Sequence, residues 1–205
     1  MTTLGGSTEA GSGYKIHCVV KADVLFFTTA GEGAGGNRDV RQISLTTGEV
    51  SVIAGAPNTR GCADGTGSNA RFTDAGHMAL SADGLSLWVA DSRCRKIANI
   101  VISTGVKTSP YGGFGWASLT SVIASPDGAK LFVGEKNQIK EIDLSTGARS
   151  VAYGSATSSW PMTSGFGTSA VFGAPPAFAI SADGSTLYAA DAHNSCILQI
   201  DLGTT

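Results

Sequence analysis

The 205-residue chain has few charged residues and no long apolar run. Charged side chains make up 15% of the sequence, against about 25% in an average soluble domain. The 14 basic and 16 acidic residues nearly cancel, so the concentrated positive charge that favours nucleic acids or anionic membranes is missing. No apolar run reaches the roughly 18 residues that a membrane-spanning helix needs. We therefore expect neither a nucleic-acid partner nor insertion into a membrane.

Cysteine is also scarce. The four cysteines are too few for a disulfide-dense miniprotein, and no two of them form a Cys-x-x-Cys pair of the kind that binds zinc. The first six residues, MTTLGG, lack the basic and apolar regions of a secretory signal. Either the protein is cytoplasmic, or a leader was removed before this numbering begins.

Glycine, in contrast, is abundant. The 28 glycines amount to about twice the usual share of roughly 7%, and serine, threonine and alanine replace many of the missing charged residues. This composition is typical of a β-protein rich in turns. It excludes a helical bundle.

One four-residue turn motif recurs along the chain. Ser81-Ala82-Asp83-Gly84 returns as Ser-Pro-Asp-Gly at 125–128 and as Ser-Ala-Asp-Gly at 181–184, and Lys21-Ala22-Asp23 is a degraded fourth copy. Glycine supplies the positive φ that tight hairpin turns require. An apolar run follows each copy, at residues 24–27, 87–90, 131–134 and 187–190. The motif therefore predicts four hairpins of the same design.

A second pattern follows each hairpin. Apolar residues stand three positions apart, as in Val40/Ile43 and Ile97/Ile100, and a Thr-Gly turn comes next at 46–48, 103–105 and 145–147. Residues 91–102 alone would also fit an amphipathic helix. The equivalent windows at 40–45 and 139–144 are only six residues long and run into turns, which favours strands in all four units.

Repeated units of four antiparallel strands predict an all-β chain folded as a β-propeller. We predict a single domain over 1–205 with four blades, each with four strands. The fourth unit stops after its third strand, so we expect the N-terminal segment 1–6 to supply the strand that completes the last blade. Alternatively, the chain is half of a larger ring completed by a second copy, or a fragment. The predicted blades cover residues 14–55, 77–113, 119–154, and 174–205 with 1–6.

The segment before the second unit carries a family resemblance. Gly61-Cys62-Ala63-Asp64-Gly65-Thr66-Gly67-Ser68-Asn69-Ala70-Arg71-Phe72, followed by Leu87-Trp88-Val89-Ala90-Asp91 and Arg95-Lys96-Ile97, resembles the NHL-repeat propellers. Residues 167–172 are a worn second copy of this approach motif. The resemblance implies the propeller fold but not one function, since the family includes receptor ectodomains, RNA- and protein-binding regulators and enzymatic relatives. The third unit lacks the approach motif, and six blades are more usual in the family than four.

Acidic residues end three of the four apolar runs: Asp91, Glu135 and Asp191. They would cluster on one face of the ring. One hypothesis is a metal or lactone site of the kind found in gluconolactonase-like propellers, although Ca²⁺ needs six to eight converging oxygen ligands. The favoured hypothesis is that each carboxylate accepts backbone N–H bonds from the loop that follows it. His17, His77 and His193 form no metal-binding spacing, and we predict no catalytic residue, metal or cofactor.

The cysteines differ in their predicted roles. Cys62 and Cys94 fall in loops expected on the same face, and we predict a disulfide between them, which would imply an oxidising compartment. Cys18 lies in an inner strand and is predicted to be a small buried core residue. Cys196 begins a third strand and has no obvious partner.

The sequence thus favours a non-enzymatic propeller that binds a protein or builds an extracellular assembly through loops on one face. The alternative is a small metal-dependent hydrolase or lyase with a site in the central channel. We expect an extracellular or secreted protein, with a cytoplasmic one as the alternative. The candidate partner-binding face consists of Arg60, Asp64, Arg71, Asp91, Arg93, Glu135, Lys136, Trp160, Asp191 and His193.

Overall fold

Antiparallel sheets account for nearly all of the regular structure. The computed structural model describes residues 15–30, 38–114, 119–155, 165, 167–171, 173, 177–191 and 194–203. Within them the only helical segments are single 3-10 turns at Gly67–Asn69 and Gly167–Ser169. None of the helices in these ranges has the length and hydrophobicity needed to cross a membrane.

Four sheets follow one another along the chain, and each is a blade. Blade 1 consists of β1 (Lys15–Lys21), β2 (Val24–Ala30), β3 (Asp39–Ser44) and β4 (Val50–Gly55). Blade 2 consists of β5 (Gly65–Thr66), β6 (Ala75–Leu80), β7 (Ser86–Asp91), β8 (Lys96–Val101) and β9 (Val106–Gly112). Blade 3 consists of β10 (Leu119–Ala124), β11 (Lys130–Glu135), β12 (Gln138–Asp143) and β13 (Arg149–Tyr153). Blade 4 consists of β14 (Ala177–Ile180), β15 (Thr186–Asp191) and β16 (Cys196–Asp201).

The strands of every blade pair in simple up-and-down order. The four-blade β-propeller predicted from the repeats is confirmed. Blade 2 departs from the expected four strands, because Gly65 and Thr66 of the approach motif pair with Lys107 and Val106 at the outer edge of β9. Blade 4 has three strands among the described residues. The N-terminal strand predicted to complete it, at 1–6, lies outside them.

Apolar layers join each blade to the next. Corresponding residues of the second strands, Phe26, Trp88 and Phe132, point toward the following blade and lie in the layers between blades 1 and 2, 2 and 3, and 3 and 4. Val40, Ile97 and Ile139 of the third strands accompany them in the same three layers. On the other side of each layer, the following blade contributes a leucine from one repeated position: Leu87, Leu131 and Leu187. Repetition of one interface therefore builds the core.

The Asp-Gly turns lie together on one face of the propeller, opposite the loops that connect the blades. We call this face the turn face. In each copy the serine hydroxyl and a backbone N–H both donate to the turn carboxylate, as Ser81 and Leu85 do to Asp83. The same arrangement recurs at Asp127 and Asp183. These donors hold the pKa values of the three carboxyls below their usual range. The motif therefore stabilises each turn locally.

Adjacent turns also touch one another through their glycines. Gly84, Gly128 and Gly184 all have positive φ. A Cβ added to Gly84 would lie 3.2 Å from Lys21 Cε, one added to Gly128 would lie 3.2 Å from Ala82 Cβ, and one added to Gly184 would lie 3.4 Å from Pro126 Cδ. Each turn thus contacts the glycine of the turn in the next blade. Lys21 Nζ adds a hydrogen bond of 2.7 Å to the Gly84 carbonyl.

Cys18 does not occupy the place that the sequence predicts. It lies on an inner strand, as expected, but its side chain is exposed, so the prediction of a buried core residue is wrong. The reason is that Cys18 pairs with Phe27, on the face of blade 1 that points away from blade 2. Among the described residues no blade covers that face.

Candidate functional site

The connections between second and third strands lie on one face of the propeller, together with the segments that lead from one blade to the next. This follows from the up-and-down order of the strands, and we call it the loop face. It carries most of the residues that the sequence nominated for recognition.

Asp91 ends β7 and organises two loops of the loop face. Its Oδ1 accepts hydrogen bonds from the backbone N–H groups of Asp74 at 3.0 Å and Cys94 at 3.1 Å, and its Oδ2 accepts one from Thr73 at 3.0 Å. Burial raises the pKa of this carboxyl, against the opposing effect of the three backbone donors. The favoured prediction for this acid is confirmed, since it serves the backbone of the following loop. It also holds the segment that precedes the blade.

Asp191 repeats the arrangement in blade 4. It accepts hydrogen bonds from the backbone N–H groups of Gly173 at 2.7 Å and Asn194 at 3.1 Å, and from the Asn194 side-chain amide at 2.6 Å. Gly173 and Asn194 stand at the same sequence offsets from Asp191 as Thr73 and Cys94 do from Asp91. The 3-10 turn at Gly167–Ser169 likewise repeats the one at Gly67–Asn69. The worn second copy of the approach motif therefore keeps the geometry of the first.

Glu135 differs from the two aspartates. It is buried at the end of β11, and its Oε2 forms an ion pair with Lys140 Nζ on β12. The same ammonium lies 5.9 Å from the centre of the Phe114 ring. Lys136 follows in the turn with a φ of 53° and is exposed. The three acids are thus engaged separately, and in the ranges the structure describes no three His, Cys, Asp or Glu side chains are grouped to hold a metal ion.

The predicted disulfide between Cys62 and Cys94 is confirmed, with Cα atoms 5.6 Å apart. It links the segment preceding blade 2 to the loop that follows β7. Asp91 joins the same two loops through hydrogen bonds, one of them to the Cys94 N–H. A covalent and a hydrogen-bonded connection therefore fix this part of the loop face together.

Three arginines gather beside the disulfide, and we call Arg38, Arg60 and Arg93 the arginine cluster. Arg38 is buried, and burial followed by the like charge of Arg60 lowers the pKa of its guanidinium. Arg60 and Arg93 are exposed. Arg93 Nε lies 3.8 Å from Asp74 Oδ2, an oxygen that also accepts a hydrogen bond of 2.6 Å from the Ser92 hydroxyl. The cluster is therefore a positively charged patch with one buried and two accessible members.

Asp64 and Arg71 form hydrogen bonds that hold the approach motif in place. Asp64 accepts hydrogen bonds from Lys107 Nζ at 2.9 Å and from both the N–H and the hydroxyl of Ser109. Burial acts to raise the pKa of Asp64, but the bonds from Lys107 and Ser109 lower it on balance. Arg71 donates to the backbone carbonyls of Ala70 and Ser68. The structure does not bring these two residues into the arginine cluster. Trp160 and His193 lie outside the described residues.

Two histidines face each other at the inner strands. The rings of His17 on β1 and His77 on β6 have centroids 5.1 Å apart. His77 Nδ1 lies 3.2 Å from the Val122 carbonyl oxygen, and because a carbonyl only accepts, this nitrogen carries the proton. A cavity of about 320 Å³ opens beside the pair, lined largely by apolar side chains such as Met78 and Phe178. Burial, with His17 acting in the same direction, lowers the pKa of His77 to about 4.

This pKa predicts a loss of stability in mild acid. The unfolded chain takes up a proton at His77 near pH 6.5 and the folded chain only near pH 4, so its contribution is complete above 6.5 and falls as the pH drops toward 4. Each unit of pKa difference corresponds to about 1.4 kcal/mol, so the free energy of unfolding should fall by about 2 kcal/mol between pH 7 and pH 5. Urea unfolding of wild type and His77→Gln at both pH values measures this. An equal pH dependence in the two proteins would contradict it.

No family model matches the chain, and none of the curated proteins matches it. Solved structures do. The chain is a β-propeller. It superposes on a chain of the nidogen/laminin complex with a TM-score of 0.64 at 15% identity, over 92% of this chain and 59% of that one.

Two bacterial propellers give similar results. An auxiliary nutrient binding protein from Bacteroides thetaiotaomicron matches with a TM-score of 0.69 at 13% identity, over 92% of this chain and 45% of that one. A candidate 6-phosphogluconolactonase from Bacteroides uniformis matches with a TM-score of 0.60 at 14% identity, over 97% of this chain and 55% of that one. The propeller thus spans about half the length of these solved chains. At such identities the likeness shows the fold alone, and membership of the NHL-repeat family stays a prediction from the approach motif.

The sequence analysis did not anticipate Arg38 and Asp74 of the loop face, nor the pairing of His17 with His77 at the inner strands. Arg38 follows a glycine-rich stretch without any pattern, and nothing in the sequence signalled its burial. Asp74 lies two residues after Phe72, the last residue of the approach motif, and that position was a usable signal. His17 and His77 each stand six residues before the turn aspartate of their unit, Asp23 and Asp83. Equal offsets in adjacent units predict neighbouring side chains.

Proposed function

We propose that this propeller is a non-enzymatic binding module that recognises a protein partner through its loop face. The observation that carries the proposal is the arginine cluster beside the Cys62–Cys94 disulfide, where Arg60 and Arg93 are accessible on loops that are already fixed. Loops held in one conformation lose little entropy on binding, which favours affinity. Arginine is enriched at protein–protein interfaces because it combines a planar charge with several donors.

Charge indicates the chemistry of the partner. The three guanidinium groups of the arginine cluster outnumber the two nearby carboxylates, Asp74 and Asp91. Asp91 directs both of its oxygens at backbone N–H groups. A partner segment that presents carboxylates fits this patch best, because an arginine binds a carboxylate through two parallel hydrogen bonds.

Other observations support the same proposal. The nidogen/laminin neighbour belongs to a protein complex, and disulfides persist mainly in extracellular and other oxidising compartments, so we propose an extracellular location. The enzymatic alternative would need free carboxylates converging on a metal. Asp91 and Asp191 instead accept hydrogen bonds from their own loops, which favours binding over catalysis.

The test is a comparison of captured proteins by quantitative mass spectrometry. Wild-type protein, an Arg60→Glu/Arg93→Glu variant of the loop face, and an Asp83→Lys/Asp127→Lys variant of the turn face serve as baits in the same extracellular extract. We expect a partner retained by wild type and the turn-face variant but depleted at least about tenfold by the loop-face variant, because two charges are reversed at the contact.

Either of two results would contradict the proposal. One is a partner lost only with the turn-face variant. The other is metal-dependent hydrolysis of lactones by the purified wild-type protein that disappears in Asp91→Ala, since this would support the enzymatic alternative.

A further inference from the structure

Blade 4 ends in a face that has the composition of an interior surface. Tyr188 stands at the repeat position of Phe26, Trp88 and Phe132, which are at most 9% exposed, yet Tyr188 is 39% exposed. Ile197 stands at the position of Val40, Ile97 and Ile139, which are fully buried, yet Ile197 is 69% exposed. These positions point toward the following blade in the three interfaces inside the chain. Blade 4 therefore presents the face that would receive a fifth blade.

Blade 1 presents the complementary face at the other end. Val20 stands at the position of Leu80, Ala124 and Ile180, which pack against the preceding blade. Val20 is 52% exposed, and the exposed Cys18 lies on the same face, because both alternate with Val19 along β1. Leu25 and Phe27, opposite Val20 and Cys18 in the register, are only partly buried.

β1 packs on β6, β6 on β10 and β10 on β14, whereas any packing of β14 on β1 within the described residues is at most marginal. We propose that two copies of this chain join end to end, blade 4 of each on blade 1 of the other, into a ring of eight blades. We call the two surfaces the end faces. This proposal is independent of what the loop face recognises.

A second copy is the occupant that the observations favour. The end faces are of the two types that meet in every interface within the chain, so blade 4 fits blade 1 as blade 3 fits blade 4. Two copies give eight blades, within the usual range of four to eight. This chain likewise covers only 45–59% of the solved propellers compared above.

The experiment is light scattering coupled to size-exclusion chromatography, across micromolar concentrations. We expect wild type to have a mass of twice 20.7 kDa. Ile197→Asp and Val20→Asp should each halve that mass, because each places a charge in both interfaces of the ring. Leu85→Asp is the matched control, since Leu85 is 61% exposed on a turn and its variant should keep the wild-type mass. Circular dichroism establishes that the variants stay folded.

Labelling of Cys18 by a thiol reagent, in a Cys196→Ser background, provides the second measurement. In the ring Cys18 is covered, so it should react several-fold more slowly in wild type than in Ile197→Asp. A dimer that survives Val20→Asp would overturn the proposal, because it would mean that two copies meet through blade 4 alone. A monomeric wild type would also overturn it, and slow labelling of Cys18 in that monomer would show that the end faces of one chain meet each other.

Discussion

Replacing Asp91 by alanine is expected to lower the free energy of unfolding by about 3 kcal/mol or more. The change removes the acceptor of three backbone N–H groups, from Thr73, Asp74 and Cys94. Hydrogen bonds to charged groups contribute about 1.5–3 kcal/mol each, and buried donors left without an acceptor carry a desolvation penalty. Chemical denaturation of the purified variant measures the loss.

Asp83→Ala is the matched control for this prediction. Asp83 also accepts a hydrogen bond from a serine hydroxyl and a backbone N–H, but it lies exposed in a turn, where water replaces lost partners. Its loss should be clearly smaller. The stability loss of Asp91→Asn should lie between those of Asp91→Ala and Asp83→Ala. The amide oxygen of asparagine still accepts a hydrogen bond, but its NH₂ group lies against a backbone donor. Equal losses for Asp91→Ala and Asp83→Ala would refute the role assigned to Asp91.

Removing the Cys62–Cys94 disulfide is expected to cost about 3–4 kcal/mol of stability. The bond closes a loop with a sequence separation of 32 residues, and constraint of the unfolded chain by a loop of this length accounts for that magnitude. The double variant Cys62→Ser/Cys94→Ser, compared by urea unfolding with Cys18→Ser/Cys196→Ser, measures it. An unchanged unfolding midpoint in the first double variant would contradict the prediction.

The stability losses caused by Asp91→Ala and by removal of the Cys62–Cys94 disulfide should also be coupled. Asp91 and the disulfide tie the same pair of loops, and Cys94 takes part in both connections. Residues that share partners give non-additive losses. We expect the triple variant to lose less stability than the sum of its parts, since removing either connection already loosens the loops that the other one holds.

Local repetition explains why so much of the fold was predictable. The Ser-x-Asp-Gly turn carries its own hydrogen bonds, so its sequence dictates its geometry wherever it occurs, as at Ser81 and Ser125. The apolar second strand comes directly after each turn, so its position was predictable as well. The disulfide was predictable because Cys62 and Cys94 sit in loops that this topology brings to one face.

Features that depend on distant partners were not predictable in the same way. The burial of Arg38 depends on loops of the next blade, and the pairing of Glu135 with Lys140 depends on the register of β11 and β12. Cys18 shows the difference most directly. Its neighbours in sequence are typical of a core strand, but whether it is buried depends on whether another blade covers blade 1.

The stacked glycines of the turn face have a consequence for protein engineering. Gly84, Gly128 and Gly184 have positive φ, which strains any other residue, and an added Cβ would lie close to the adjacent turn, so tolerance to mutation should be low along that rim. On the loop face, Asp91, Asp191 and the Cys62–Cys94 disulfide anchor the connections that the structure describes. A library that varies those connections while keeping the glycines and the anchors would make this small repeat protein a scaffold for synthetic affinity reagents.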